Sequence, residues 1–426
     1  MKHKTFWLVV ALILGALLLT ACAGAQGPAG PQGPEGAQGP AGPPGPAGPP
    51  GQDATAVQEY IGSDKCGECH EDEYNKFVLS GHPYKLTKIV DGQPPTFPYD
   101  AVTGGAPVDP PEGYTWDDIA YTIGGYGWKM RFIDKEGFII TGPPGTRGDA
   151  TAAEGYVNQY NFANEEAGKD AGWVPYHLGD EKPYNCGVCH TTGYNPEGHQ
   201  DDLPGMIGTW AFPGIQCEEC HGPGSLHAEN PYGVRVRVET SSELCGECHL
   251  RGDPADINAK GGFEQHHEQY EDLLNSKHFA ISCITCHDPH ASAIYADPQI
   301  NPNKSIRQTC DTCHWQNVQQ RVQKHVESSD VTCVSCHMPP MGKSAWGNAD
   351  LLTGDVHSHQ FSINTDPNAP QFTEDGESVM PYLTLQYACQ HCHNGVTYSA
   401  QDLETLGAAA QDYHSAPPPP EEESAP

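Results

Sequence analysis

Hydrophobic and polar positions divide this chain into stretches of quite different grain. Lys2 and Lys4 precede an apolar run, Phe6–Leu19, broken only by Gly15. A charged start and a short apolar run are the first two parts of an export signal, and the run is shorter than the ~20 residues a membrane-spanning helix needs. From Gly24 to Asp53 the apolar signal gives way to ten Gly-X-Y triplets, two of them Gly-Pro-Pro. Glycine at every third position is what the axis of a collagen triple helix demands, because only hydrogen fits there. In a single chain the same stretch is a semi-rigid spacer. Further on, Trp128, Met130 and Phe132 alternate with Lys129 and Arg131, and Asp134-Lys135-Glu136-Gly137 leads into Phe138–Thr141. Alternation followed by a turn sequence predicts a β-hairpin. Helical spacing is expected later: His267 and His278 stand eleven residues apart with Leu274 between them, and His314 and His325 repeat that interval with Val318 on the same stripe. Eleven residues make three turns, ~16 Å along a helix axis, enough to serve two different centres. Gly407–Pro426, with a run of four prolines and three glutamates, is expected to be disordered.

Composition sharpens this picture. Only 37% of the 426 residues are hydrophobic, against 48 Gly and 39 Pro, which is thin material for an ordinary core. Asp and Glu number 55 against 22 Lys plus Arg, a net charge of −33. That field repels nucleic acid and anionic membrane surfaces and excludes both as partners. Leu19-Thr20-Ala21-Cys22 resembles a bacterial lipobox, so Cys22 is expected to be acylated and to tether the chain outside the cytoplasm, periplasmic or at the cell surface. The alternative is an uncleaved anchor with an incidental cysteine. The expected organisation is a signal over 1–21 and a lipid-anchored stem over 22–53, which a triple helix would make homotrimeric. A body over 54–406 and the tail follow.

The body repeats one pentapeptide, CxxCH, eight times. The cysteines are Cys66 and Cys69, Cys186 and Cys189, Cys217 and Cys220, Cys245 and Cys248, Cys283 and Cys286, Cys310 and Cys313, Cys333 and Cys336, and Cys389 and Cys392. The adjoining histidines are His70, His190, His221, His249, His287, His314, His337 and His393. Two thiols add across the porphyrin vinyl groups and the adjacent imidazole reaches the iron. Zinc knuckles do not need a histidine after every second cysteine, and a redox dithiol is not repeated eight times. The motifs therefore imply eight covalently bound haem c groups, whose apolar plates replace much of the missing core. With Cys22, the seventeen cysteines are all used and none remains for a disulfide. The expected fold is mostly α and irregular, organised around eight c-type haems. A motif-free insert, about 83–185, holds the small hairpin and reads as a structural flap over the early haems, or as a substrate-binding insert.

Twelve further histidines are available for the opposite faces of eight irons: His82, His177, His199, His227, His266, His267, His278, His290, His325, His357, His359 and His414. That supply favours two imidazoles per iron over methionine, and Met338 and Met341 show no ligand pattern. His82, His227, His278, His290 and His359 are the leading candidates, followed by His267 and His325. His177 and His199 compete for the eighth place, and His414 in the polar tail is expected to be solvated.

CGECHEDEYNKFVLSGH (66–82), CEECHGPGSLH (217–227), SKHFAISCITCHDPH (276–290), and CVSCHMP with the later SHQF (358–361) resemble the multihaem cytochrome superfamily that includes hydroxylamine oxidoreductase and its tetrahaem electron-accepting partner. The resemblance spans roughly residues 60–395. It implies stacked and perpendicular haem pairs forming an electron path, with distal ligands at the positions of His82, His227, His278, His290 and His359. It does not choose between carrier and enzyme. The expected function is single-electron transfer between redox partners, other redox proteins or quinol-oxidising complexes. The alternative is oxidation or reduction of small nitrogen or sulfur compounds at one five-coordinate haem. Against the alternative stand the absence of a CxxCK motif, the lack of any mark on Tyr382 or Tyr387 as a crosslinking tyrosine, and a negative field that repels anions unless Lys or Arg lines the pocket.

Overall fold

A computed structural model describes residues 57–98, 109–265, 268–292, 305–317, 325, 331–411 and 413–414. All of them belong to the second of two compact units, Ala56–Pro426; the export signal, Cys22, the triplet stem, His267 and the last twelve residues lie outside the described set.

The insert is larger than a hairpin. It is a five-stranded sheet in sequential order: β1 (Leu86–Lys88), β2 (Ile119–Gly125), β3 (Gly127–Asp134), β4 (Gln159–Asn161) and β5 (Gly172–Val174), every neighbour antiparallel. The main partner of β3 is β2, with Thr122 opposite Phe132 and Ile123 opposite Arg131. The anticipated turn also exists: Asp134 Oδ1 accepts from the Glu136 and Phe138 N–H groups, and Ile140 N–H returns to the Phe132 carbonyl. Alternation could not reveal the rest. β2 is buried on both faces and has no period of two, while β1, β4 and β5 are three residues long. The β2–β3 connection needs glycine, because at Gly124 (φ 69°) a Cβ would stand 2.7 Å from the Lys129 carbonyl oxygen.

Met130 and Phe132 on β3 are fully buried with Ile89, Ile119, Ile140 and Phe162. Leu86, Tyr121, Ile133, Tyr184, Met206 and Trp210 form a second cluster. Lys129 and Arg131 therefore project from the opposite face of β3. A smaller sheet, ordered Gly342–Lys343, Phe263–Gln265, Ile257–Lys260 and Ser378–Val379, carries a third cluster of Ile257, Met341, Val379, Leu383 and Tyr387.

Elsewhere the chain is short helices and loops. The CxxCH segments lie in or against single helical turns, such as Gly187–His190, Cys217–His221, Cys283–Cys286 and Cys333–His337. One turn puts positions i, i+3 and i+4 on one side, which gathers two thiols and an imidazole. The helix expected to carry both His267 and His278 is only Gln269–Asn275; Ser276 is extended (φ −96°, ψ 172°) and its hydroxyl donates to the Leu273 carbonyl at 2.8 Å, so His278 lies beyond the end. At the other end, order persists past 407. Asp402 caps the helix Leu403–Ala410 through Thr405 N–H (2.7 Å), and Tyr413 and His414 pack back onto the body.

Asp355 ties the insert to the later chain. Its carboxylate accepts from the backbone N–H groups of Ser344, Ala345 and Trp346 at 2.5, 2.7 and 2.8 Å, and its carbonyl accepts from Trp128 Nε1 at 3.0 Å. Asp355→Ala should lower stability by roughly 2–4 kcal/mol, because three donors lose a charged acceptor. Chemical denaturation of the holoprotein checks this, and Asp355→Asn should lose less.

Candidate metal centres

Histidine rings from distant parts of the sequence meet in pairs. His70 faces His227 at 6.2 Å between ring centroids, His82 faces His249 at 6.5 Å, and His221 faces His290 at 6.2 Å. His278 faces His314 at 5.9 Å, His287 faces His359 at 6.2 Å, His325 faces His393 at 6.5 Å, and His337 faces His414 at 5.9 Å. Each pair joins one CxxCH histidine to one histidine outside the motifs. An imidazole nitrogen binds a first-row metal at about 2 Å and the ring centroid lies about 1.1 Å behind it, so two rings across one iron should stand roughly 6.2 Å apart. The seven separations span 5.9–6.5 Å, and the donor sets fit haem iron.

The space beside these rings also fits porphyrin. One continuous cavity of about 3940 Å³ is lined by residues of all eight motifs and by both members of every pair. Ordinary small-molecule sites are ~300–1,000 Å³. All sixteen motif cysteines are free thiols, and among the described residues no three His, Cys, Asp or Glu side chains converge as a zinc site requires.

Protonation suits the same role. Burial, with the neighbouring His249 and Lys85 charges, pushes His82 down to about 3, and burial with His287 pushes His359 down to about 3. Both are neutral and free to donate a lone pair. Several rings have their other nitrogen fixed. Nδ1 of His227, His221 and His337 lies 2.7, 2.8 and 2.6 Å from the carbonyls of Val234, Arg237 and Phe361, leaving Nε2 toward the metal.

The motifs form a connected series. Cys66 lies against Cys217, Cys189 against Cys248, and Cys245 against Cys283 and near Cys220. Cys286 is near Cys313, Cys310 near Cys333, and Cys336 near Cys392. The spatial sequence is first, third, fourth, fifth, sixth, seventh, eighth, with the second motif branching from the fourth. No spacing along the chain indicates that branch.

Of the candidate second ligands, His82, His227, His278, His290, His325 and His359 stand opposite motif histidines, and His267 falls outside the described residues. His414, read from its polar surroundings as solvated, stacks on His337 at 23° instead. His177 and His199, which competed for the eighth place, neither line the cavity nor face a described motif histidine ring.

His190, in the second motif, faces no other described histidine ring. Burial, then Lys85, Arg131 and Lys129, pushes its imidazole down to about 4. The three cations are rigidly held. Lys85 Nζ lies 5.5 Å over the Trp128 ring, and the Arg131 guanidinium lies 3.6 Å over Tyr176 while its Nε donates to Gln159 at 2.6 Å. Lys129 Nζ donates to the Ser344 carbonyl, and burial followed by repulsion from Arg131 lowers it to about 7. In so acidic a chain this is a local reversal of sign. Residues of the insert line the cavity beside the second motif and supply it with positive charge.

Residues 155–222 match the family described as cytochrome c554 and c-prime. The dissimilatory sulfite reductase MccA of Wolinella succinogenes is 23% identical over 377 residues, covering 66% of this chain and 51% of that protein. The multiheme cytochrome MtrA of Shewanella baltica is 22% identical over 203 residues, covering 45% of this chain and 55% of that one. The chain thus spans about half the length of the curated relatives it matches. Among solved structures, the octaheme sulfite reductase MccA of Wolinella succinogenes superposes with a TM-score of 0.53 at 19% identity, over 82% of this chain and 69% of that one. The outer cell wall cytochrome OcwA superposes with a TM-score of 0.51 at 18% identity, over 82% and 86%. With the ring pairs already described, the two superpositions show that the chain has the fold of multihaem cytochromes.

Proposed function

We propose an octahaem electron-transfer protein in which seven haems are held between two imidazoles and the haem of the second motif keeps one face open to a small oxyanion of sulfur or nitrogen. The observation that carries this reading is the contrast between seven ring pairs and His190, which meets three half-buried cations and no described histidine. Haem, when bound at these motifs, supplies one-electron redox chemistry along the series and an exchangeable coordination position at its branch. The chain's own residues do the rest. Lys85, Lys129 and Arg131 offset the acidic field locally, attract the oxyanion and orient it against the open face. Lys129, lowered to about 7 by burial, is suited to give up a proton when oxygen is lost from the ligand. A relative bearing the name sulfite reductase supports sulfite as the first ligand to try.

The simpler reading is a pure carrier in which His267 completes an eighth pair. Both readings share a tethered, extracytoplasmic setting, with Cys22 as the lipid attachment and the triplet stem as spacer or trimeriser, exchanging electrons with redox proteins or quinol-oxidising complexes. Among the described residues no helix is long and apolar enough to cross a membrane.

Low-temperature electron paramagnetic resonance of the ferric holoprotein separates the two. One stoichiometric high-spin haem that shifts with sulfite or nitrite is expected, and low-spin signals alone would return the protein to a carrier. His267→Ala should leave the spin count unchanged; conversion of a low-spin haem would assign His267 as the eighth ligand. Ring angles add a finer expectation. His82–His249 at 71° and His278–His314 at 83° are nearly perpendicular and should give two signals with large maximum g, whereas His221–His290 at 11° should give a rhombic one. Lys129→Met and Arg131→Met should each weaken sulfite binding by roughly tenfold in an optical titration, since one lost charge contact costs ~1.4 kcal/mol or more.

A further inference from the structure

Where the described residues place a hydrogen-bond partner on Nδ1 of a paired ring, that partner is almost always neutral: a backbone carbonyl for His221, His227 and His337, the side-chain amide of Gln269 for His249 (3.2 Å), and the Tyr413 hydroxyl for His325 (2.7 Å). His290 is different. Its Nδ1 lies 3.3 Å from Oδ1 of Asp288, and its own backbone N–H donates to the same oxygen at 3.1 Å. Asp288 is only 6% exposed. Lys76 Nζ stands 3.1 Å from Oδ2 and Arg307 Nη2 stands 3.6 Å from Oδ1, so the buried carboxylate has counter-charges that keep it ionised.

These partners come from separate parts of the chain. Asp288 directly follows His287 of the fifth motif, Lys76 lies in the helix Glu71–Phe77 just after the first motif, and Arg307 precedes Cys310 of the sixth. His290 is the partner of His221 in the third motif. A charge on Asp288 is therefore coupled through the 3.3 Å contact between its Oδ1 and Nδ1 of His290 to the ring that faces His221 of the third motif.

We infer that Asp288 is a positioning residue for the haem of the third motif: it fixes the His290 ring and gives its imidazole partial anionic character, which holds this haem at a lower potential than its neighbours. A carboxylate at Nδ1–H draws the proton toward itself and makes the opposite nitrogen a stronger donor, favouring ferric over ferrous iron. A carbonyl does this much less. Lys76 opposes the effect by drawing on the same carboxylate. The third haem stands between the first and fourth in the spatial series, so a low potential there sets a step that electrons must climb in passing either way. The inference rests on a haem at the third motif and is independent of whether the second motif's haem is open.

Spectroelectrochemical titration of the purified holoprotein, with paramagnetic resonance following the one rhombic signal among the near-parallel pairs that His290→Ala removes, tests it. Asp288→Asn should raise the ferrous-to-ferric ratio of that haem about tenfold at fixed electrode potential, an upward shift of about 59 mV for one electron. Lys76→Met, which keeps Asp288 and removes one of its counter-charges, should move the same haem the opposite way, by about threefold. Haem content by intact mass accompanies both. If eight haems are present and the two variants leave this potential unmoved, or shift it in the same direction, the inference is overturned. If Asp288→Asn fails to retain haem, Lys76→Met decides alone: a downward shift supports the inference and no shift overturns it. A native protein lacking haem at Cys217 and Cys220 would instead defeat the octahaem reading.

Discussion

A haem iron accepts two imidazoles only if they approach from opposite faces and stand roughly 6.2 Å apart, centroid to centroid. Meeting that constraint requires bringing together residues that the sequence separates widely. His70 and His227 come from opposite ends of the first half of the body, and His337 meets His414 across the C-terminal sheet and its following helix. Each pair is a long-range contact that closes a loop. The 37% hydrophobic content leaves little else to bear the entropy of closing so many loops. Among the described residues three apolar clusters are found, two built mainly from the insert and one from the small C-terminal sheet. The shared cavity has room for porphyrin plates, which would supply the missing apolar contact and so couple folding to haem attachment.

The electrostatic arrangement follows from the same architecture. Haems enclosed by a chain at −33, each bringing its own carboxylates, would be favoured in the ferric state. Against this background the position of each cation carries information. Lys85, Lys129 and Arg131 converge near His190, pinned by Trp128, Ser344, Gln159 and Tyr176, so they are preorganised rather than recruited from flexible surface chains. Lys76 and Arg307 are committed to Asp288. The proposed anion site rests on the first group, while the second neutralises an internal carboxylate.

The sequence made some of this legible and concealed the rest for physical reasons. Cys and His at i, i+3 and i+4 identify a haem attachment because the chemistry is local, and several second ligands lie within a loop or two of a motif, as His82 and His227 do. His414 could not be read that way. It sits in a polar stretch just before the proline run 417–420, and the helix Leu403–Ala410 precedes its contact with His337. The alternation around Met130 located one strand and a turn, yet its partner β2 is buried on both faces and shows no alternation. Nor could the cationic pocket be seen, since Lys85 on the approach to β1 meets Lys129 and Arg131 only through sheet pairing. The branch at the second motif was equally hidden, because it depends on Cys189 meeting Cys248.

Diffraction from crystals of the holoprotein at the iron absorption edge tests the central claim most directly. Eight anomalous peaks are expected, seven of them midway between the ring pairs and the eighth at Nε2 of His190 with no second imidazole. A ring pair without iron between its members, or a histidine completing the coordination opposite His190, would contradict it.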